Sequence, residues 1–533
     1  MARIRRCSPF SLAAILALLT PIRGSAGDDR AERDDHGSQG AESRDMKWIG
    51  FNDLQARSSY QPTLHKQGGR YILYVGHHTL GTNPVTGAPL PSFNPLTQMN
   101  EENGTSILDV TEPKHPRYLV HLPVPDHNGG GAQMVRVCDG ALLPHADHSK
   151  VYMLRTYSNS AHEIWDVTHP EQPVGVRTVA GGNPVIGAQT GTPGALAGTH
   201  KSWWECDTGI AYIVGRRGTD TAAGWKPGNH IMIFDLSDPA NPVFLRDWAM
   251  DGQQPGSKLQ PHFTNAPSIH GPISTGPAGG VIASANPGVV PERVYFAYGT
   301  GATGIMQIVD RKKLLDPSIP ATDFTTAELG HWVMNPDNGA HTSWPLGNIA
   351  VPDFVSDPNR IRDFVFVTSE ATAHFCAEPR HLSFLVDVSD EGRPQGVSTA
   401  QVSAASGGKK DDENFCRRGG RFGPHATNEE FGPPFYEKIV FVSYFNAGVR
   451  AFDVRDPYRP RNVAFFIPPV TANTDLRCGT LDNVPNVCRQ VVQTNNVATD
   501  DRGNIFIVDR ANTGLHVLRL TGDAAKIVGE DDR

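Results

Sequence analysis

Short segments of alternating apolar and polar residues recur along the chain, each rich in aromatic and β-branched side chains. Glycine, proline and aspartate separate them. Seven such segments are RYILYVG, KVYMLRTY, IAYIVGRR, RVYFAYG, DFVFVTS, KIVFVSY and NIFIVD. Alternation with this composition predicts β-strands. The 54 glycines and 42 prolines suit many short strands joined by turns, so the pattern predicts an all-β protein.

A second pattern follows each of these segments. It is a short apolar strand, an aspartate, an apolar residue, a polar pair and a proline-flanked turn, as in ILDVTEPKHP, IWDVTHPEQP, IFDLSDPANP, LVDVSDEGRP and AFDVRDPYRP. Its anchor positions recur at intervals of 57 to 77 residues and are Asp109, Asp166, Asp235, Asp310, Asp387, Asp453 and Arg519. One repeat per blade predicts a seven-bladed β-propeller of four-stranded antiparallel blades. We label the strands of a blade A to D outward from the hub, with the aromatic strand as B and the anchor strand as C.

The anchor pattern resembles the repeat of LVIVD-repeat propeller proteins. The resemblance covers residues 48–520, and the fourth and seventh copies depart from it at Asp310-Arg311 and Arg519-Leu520. It implies the propeller fold. It implies no activity, because propellers host many functions.

The ends of the repeat array predict how the ring closes. Residues 48–53 have the character of a D strand, yet they precede the first A strand, whereas the last repeat has only A, B and C strands. We therefore predict that this segment pairs beside Leu515–Leu518 and removes an exposed sheet edge. The alternative is that residues 525–529 complete the last blade in sequence.

The N-terminus predicts export. A basic start, an apolar run from Ser11 to Leu19 and small residues up to Ala26 have the order of a signal peptide over residues 1–26. A short N-terminal anchor is the alternative. Residues 27–45 are charged and nearly free of apolar side chains, which predicts a disordered linker before a propeller over residues 46–533. No other segment is apolar and long enough to cross a bilayer, so no membrane insertion of the mature chain is expected.

Charge restricts the partners. Residues 1–26 contain four arginines and no acidic residue, so 44 basic residues remain against 56 acidic ones, a net charge of −12. Such a surface disfavours nucleic acid and anionic lipid. The expected partner is a small-molecule substrate or a cell-envelope protein.

Six cysteines remain after residues 1–26, an even number that predicts disulfides in a periplasmic or secreted protein. Loops on one face predict a bond between Cys376 and Cys416, and a short loop predicts one between Cys478 and Cys488. A third bond, between Cys138 and Cys206, would join neighbouring A strands. Buried free thiols are the alternative for that last pair.

The starts of the A strands place one polar residue of each blade at the central channel. These residues are spaced by 67 to 84 positions, the period of the blades, and they are Gln61, Gln133, His200, His270, His341, His425 and Gln493. Four consecutive histidines suit a transition metal, because neutral imidazole binds Cu, Fe or Zn readily. We therefore predict that His200, His270, His341 and His425 bind a transition metal ion whose identity the sequence leaves open.

The arrangement is similar in architecture to two propeller families. Carotenoid cleavage oxygenases hold iron with four propeller histidines, and the selenium-binding protein family, which includes methanethiol oxidases, uses histidines on a related scaffold. Only the histidines match here. The alternatives are a water-filled structural or ligand-binding channel and a misalignment, in which His262 would replace His270.

Further residues are predicted at the same mouth. Gln61, Gln133 and Gln493 are expected to leave an open side of the metal and to orient a water or substrate. Glu370 is predicted to orient a ligand or act as a general base. Inserted loops bring further candidates within reach: His77, His78, Arg216, Arg217 and His374.

His145 and His148 have the spacing of metal ligands but fall in an A–B loop on the opposite face, where a surface turn is expected. The resulting hypothesis is a metal-dependent oxidoreductase that acts on a small organic substrate. The alternatives are a hydrolase that uses a metal-bound water and a non-catalytic binding propeller.

Overall fold

Seven antiparallel sheets in a computed structural model form the blades of one propeller, which confirms the predicted fold. The structure describes residues 40–79, 91–125, 131–180, 183–185, 196–226, 228–258, 268–275, 292–300, 303–351, 356, 360–406 and 414–529. The predicted signal peptide and the linker up to residue 39 lie outside these ranges.

The blades follow one another along the chain, and the strands of each blade run from A at the hub to D at the rim. Blade 1 has Ser59–Gln67, Arg70–His77, Gly104–Asp109 and Arg117–Pro123. Blade 2 has Val135–Asp139, Val151–Tyr157, Ala161–Asp166 and Val174–Ala180, with a fifth strand Asn183–Val185. Blade 3 has Ser202–Trp204, Ile210–Arg217, His230–Asp235 and Val243–Trp248, and Leu196–Ala197 pairs with its B strand. Blade 4 has Ile269–Thr275, Arg293–Tyr298, Ile305–Asp310 and Glu328–Val333.

Blade 5 has Ala340–Ala350, Ile361–Ser369, Ser383–Asp387 and Gln395–Ala400. Blade 6 has an irregular A segment over residues 425–428, followed by Ile439–Ser443, Val449–Asp453 and Arg461–Ile467. Blade 7 has Thr494–Thr499, Asn504–Asp509 and Leu515–Leu520, and Met46–Asn52 is its D strand. Two hairpins lie outside the blades, Ser92–Asn94 with Met99–Glu101 and Leu476–Leu481 with Val484–Gln490.

Helices in the described residues are short. The α-helices are Asp220–Ala223, Arg311–Leu314, Phe415–Arg418 and Gly522–Val528, and the 3-10 turns are Leu54–Ala56 and Ala404–Ser406. None of these helices has the length and apolarity needed to span a bilayer.

The anchor aspartates of the repeat stabilise the turn from strand C to strand D. In five blades the carboxylate accepts a hydrogen bond from the backbone N–H two residues later, at 2.8 to 3.2 Å. This is an Asx turn, in which the side chain replaces a backbone acceptor. In blade 4, Asp310 instead caps the helix Arg311–Leu314 by accepting from Lys313 N. The repeated aspartate therefore encodes the same turn in blade after blade.

The N-terminal strand closes the ring as predicted. Trp48 pairs with Leu518 and Asn52 with Leu515, so Met46–Asn52 supplies the outer strand of blade 7. Residues 525–529, the alternative, lie in and just after the helix Gly522–Val528 and form no strand. The boundary of the predicted linker needs a correction, because Glu42–Arg44 pairs with the outer strand of blade 6. Backbone pairing to an available sheet edge outweighs the charged composition of these residues.

Packing between blades makes the hub a rigid scaffold. One apolar cluster runs through blades 3, 4, 5 and 6 and contains the buried side chains of Trp203, Trp248 and Trp344. These are the blades that carry the four predicted metal ligands. Their A strands are therefore held in fixed relative positions by a continuous, close-packed core.

The described residues contain three disulfides, and all three predicted pairs are confirmed. Cys376 bonds to Cys416, Cys478 to Cys488, and Cys138 to Cys206. The first joins two loops, the second closes the hairpin of Leu476–Leu481 with Val484–Gln490, and the third joins the A strand of blade 2 to the turn after the A strand of blade 3. Three disulfides indicate an oxidising compartment.

Removal of the disulfide between blades 2 and 3 should cost more stability than removal of the hairpin disulfide. The Cys138–Cys206 bond spans 68 residues and the Cys478–Cys488 bond spans 10. The entropy of loop closure then predicts losses of about 4 and about 3 kcal/mol in the free energy of unfolding. Urea unfolding of the two double cysteine-to-alanine variants measures this difference, and the reverse order would contradict it.

Candidate metal centre at the propeller hub

Four histidines from consecutive blades meet at the hub. His200, His270, His341 and His425 stand at the start of the A strands of blades 3 to 6, and the centroids of successive rings lie 4.5, 4.2 and 4.2 Å apart. The structure therefore brings together all four of the predicted ligands. His262, the alternative to His270, lies outside the described residues.

A recurrent β-bulge turns the hub residues toward the channel. The pairing of strand A with strand B skips one residue in blades 1, 4, 5 and 7, and the skipped residues are Tyr60, His270, His341 and Asn495. An unpaired bulge residue leaves the alternating pleat, so its side chain is re-aimed. The same irregularity thus recurs in four of the seven blades and re-aims one side chain in each of them.

The Nε2 atoms of the histidines face one another. Nε2 of His200 lies 3.1 Å from Nε2 of His270, and it lies 3.0 Å from the Tyr60 hydroxyl. Nε2 of His341 lies 3.2 Å from the same hydroxyl. Nε2 of His425 is buried and has no hydrogen-bond partner among the described residues. Two imidazole nitrogens at 3.1 Å require a proton or a cation between them, because their lone pairs otherwise repel.

The Nδ1 atoms, on the other side of each imidazole ring, are held by hydrogen bonds. Nδ1 of His425 donates to the carbonyl oxygen of Asn495 at 2.6 Å. A carbonyl can only accept, so this imidazole carries its proton on Nδ1 and its lone pair on Nε2. The other three Nδ1 atoms also lie against side-chain oxygens, which belong to Gln133 for His200, Thr300 for His270 and Thr342 for His341. Metal-binding histidines are oriented by such partners, which leave the lone pair of Nε2 free to bind an ion.

Burial keeps the imidazoles neutral. His341 and His425 are fully buried, whereas His200 and His270 are partly exposed. Burial lowers the pKa of His200 to about 3 and holds the pKa values of the other three well below the usual value. The neutral ring is the form that binds a metal. Solvent approaches the group from the side of His200 and His270.

A carboxylate completes the cluster. Glu370 directly follows the B strand of blade 5, and its oxygens lie 3.9 Å from Nε2 of His270 and 3.7 Å from Nε2 of His425. One ligand atom each of His270, His341 and Glu370 lies within 4.8 Å of the other two. This His/His/Glu group could hold a metal ion. Arg421 Nη1 donates to Glu370 at 3.0 Å and fixes the carboxylate in place.

Tyr60 occupies the side of the cluster where the glutamines were expected. Its ring is buried and lies 5.2 Å from the ring of His200 and 5.4 Å from that of His425. Burial, with the nearby charge of Glu370, raises the pKa of its hydroxyl well above the usual value. The group at the hub is therefore a neutral phenol.

The three glutamines have other positions, which corrects the expectation that they face an open side of the metal. Gln133 lies behind His200 and holds its Nδ1. Gln61 donates to the Pro62 carbonyl and accepts from Asn496 at 2.5 Å. Gln493 accepts from the backbone N–H of Arg421 at 2.8 Å. For Gln61 and Gln493 the reason is the bulge, which moves the hub position to Tyr60 in blade 1 and to Asn495 in blade 7.

The loop residues predicted at the mouth divide into two groups. The rings of His78 and Tyr60 lie 6.0 Å apart, and His374 is held at the mouth by the Cys478 carbonyl at 2.8 Å. His77 is instead buried within blade 1, between Ser59 and Ser106. Arg216 and Arg217 form side-chain hydrogen bonds within blade 3. As expected, the loop that carries His145 and His148 is an exposed turn.

Sequence reasoning missed Tyr60, Arg421 and Arg510. A bulge leaves no mark in the alternation of apolar and polar residues, so the alignment of strand starts puts the hub position of blade 1 one residue too late. Arg510 has a recognisable signal, because it directly follows the B strand of blade 7 as Glu370 directly follows that of blade 5. An alignment on the ends of the B strands would have found it.

Comparison with known proteins identifies no family for this chain. No protein-family model matches the chain, and no curated protein matches its sequence. A solved structure of a hypothetical selenium-binding protein from Sulfolobus tokodaii is similar, with 12% identity, 86% of this chain and 87% of that chain covered, and a TM-score of 0.47. The Dos1 propeller is also similar, with 8% identity, coverage of 90% and 96%, and a TM-score of 0.39.

Proposed function

We propose that the hub binds one transition metal ion through His200, His270, His341 and His425, and that the protein is an exported oxidoreductase for a small organic substrate. The observation that carries the proposal is the orientation of the four imidazoles. Their Nε2 atoms face one another, while their Nδ1 atoms are held from behind. This is the arrangement that a bound cation requires.

The donor set favours a transition metal over magnesium or calcium. Four neutral imidazoles and one carboxylate form a nitrogen-rich group, whereas magnesium and calcium prefer carboxylate, carbonyl and water oxygens. The buried, unpartnered Nε2 of His425 also fits a metal better than a water-filled channel. One water can donate to at most two of the facing imidazole lone pairs, whereas one metal ion can accept all four.

The chain would supply positioning and proton control around the ion. Copper or iron would exchange electrons with a substrate when bound, whereas zinc would act only as a Lewis acid. Tyr60 places a neutral hydroxyl between His200 and His341 and can hold or donate a proton there. Arg421 keeps Glu370 oriented toward His270 and His425. A substrate would enter from the partly exposed side, at His200 and His270.

Metal analysis of the purified chain tests the proposal. After reconstitution with Cu, Fe, Zn and Mn in turn, we expect one ion per chain, measured by mass spectrometry of the dialysed protein. Tight binding of copper or iron supports the oxidoreductase, and exclusive binding of zinc would favour the hydrolase. The absence of any stoichiometric metal would refute the proposal and favour the binding propeller.

A further inference from the structure

Three arginines line the mouth of the channel beside the histidine cluster. Arg421 lies in the loop before the A segment of blade 6, Arg477 lies in the hairpin strand Leu476–Leu481, and Arg510 directly follows the B strand of blade 7. The guanidinium carbon of Arg510 lies 5.6 Å from the centre of the Tyr60 ring. Tyr60 in turn contacts two of the histidines. Positive charge therefore lies next to Tyr60, which itself contacts two of the proposed metal ligands.

Hydrogen bonds fix the main chain of Arg510 at this place. Its carbonyl accepts from Arg477 Nη2 at 2.9 Å and from Ser58 Oγ at 2.9 Å, and its N–H donates to the Gln493 carbonyl at 2.8 Å. The hairpin that carries Arg477 is closed by the Cys478–Cys488 disulfide. Arg477 is thus held by a disulfide-closed hairpin, and Arg510 is held at the end of a blade strand.

Three carboxylates lie near the three arginines, but among the described residues none of them forms an ion pair with Arg510. Glu370 is the carboxylate bonded to Arg421, and it is shared with the histidines. Asp475 lies 3.5 Å from Arg477, and the Asp509 carboxylate accepts from the backbone of Gln493 and Ala511.

The guanidinium groups also have unused donors. Nη1 of Arg510 and Nε of Arg477 are buried and have no hydrogen-bond partner among the described residues. Burial and repulsion from Arg421 lower the pKa of Arg510 to about 10, so the group remains charged at neutral pH. An anion would supply the missing acceptors and an ion-pair partner for Arg510.

We propose that this mouth is an anion site in which Arg510 binds a small carboxylate or other oxyanion, with Arg477 as its second contact. Together with the proposed function, on which this step rests, it assigns the substrate to the organic anions. The charged end would lie against Arg510, and the rest of the molecule would extend past Tyr60 toward the partly exposed side of the histidine cluster. The planar guanidinium fork suits a carboxylate better than a neutral group.

Equilibrium binding to the full chain tests the site without the metal. Acetate, inorganic phosphate and the neutral isostere acetamide are titrated calorimetrically into chelator-treated protein in chloride-free buffer. We expect acetate or phosphate to bind and acetamide to fail. R510Q should weaken anion binding by at least about tenfold, since a charge-assisted hydrogen bond and a charge are lost. R477Q should weaken it in the same direction and keeps the test decisive if R510Q does not fold.

The matched control is R393Q, because the Arg393 side chain is 84% exposed and pairs with Asp390 in a turn of blade 5. It should bind anions as the unaltered chain does. The anion inference is overturned if acetate and acetamide bind equally, or if folded R510Q and R477Q bind like the control. The titration uses metal-free protein, so the two proposals are tested separately. Anion binding without metal uptake would refute the proposed function alone, and metal uptake without anion binding would refute this inference alone.

Discussion

Replacement of His341 by alanine should abolish stoichiometric metal binding and leave the propeller folded. His341 is central in the arc, with its ring 4.2 Å from the rings of both His270 and His425. Its Nε2 also meets the Tyr60 hydroxyl. Loss of a ligand costs more than loss of an orienting partner, which typically lowers metal affinity 10- to 100-fold, so we expect a fall of at least about 100-fold.

Metal content and circular dichroism, measured on the same preparation, check this result. The propeller should persist because blade packing depends on the apolar clusters between the sheets rather than on one hub side chain. The matched control is H148A, since His148 is an exposed histidine in a turn. If H341A retains full occupancy, or if H148A loses it, the ion is bound elsewhere and the hub assignment is wrong.

The fold was predictable because its determinants are local and repeated. An aspartate that forms an Asx turn must be followed by a backbone N–H two residues later, so the same short pattern recurs wherever that turn recurs. The order of strands along the chain then exposes the missing outer strand of blade 7, which Met46–Asn52 supplies. Glu42–Arg44 was missed because its pairing depends on a free edge of blade 6, which its own composition does not encode.

The site was predictable as far as its four histidines and Glu370. Blades 4 and 5 carry them on the bulge itself, so the alignment of strand starts found the right residues there. In blades 1 and 7 the alignment selected Gln61 and Gln493, whereas the bulge residues are Tyr60 and Asn495. A bulge changes the face of a side chain without changing the hydrophobic pattern. Arg421 and Arg477 belong to segments inserted between the blade strands, and their positions follow from tertiary contacts.

Replacement of Glu370 by glutamine should change metal binding and anion binding in opposite directions. The carboxylate lies 3.9 Å from His270 Nε2 and 3.7 Å from His425 Nε2, so it offsets the charge of an ion held there. Its removal should weaken metal binding by about 10- to 100-fold. The same carboxylate also offsets the positive charge of Arg421 and Arg510. Without it, acetate should bind the metal-free mouth more tightly.

The two titrations on E370Q therefore provide a joint test of the hub and the mouth. Glutamine is nearly isosteric with glutamate and can still accept a hydrogen bond from Arg421, so the loop should keep its position and only the charge changes. E391Q is the matched control, because Glu391 pairs with Arg293 at 2.7 Å in the turn between the C and D strands of blade 5. Parallel losses of metal and acetate binding in E370Q would indicate a collapsed loop and contradict the charge argument. Opposite shifts, absent from E391Q, would place the ion and the anion on either side of one carboxylate.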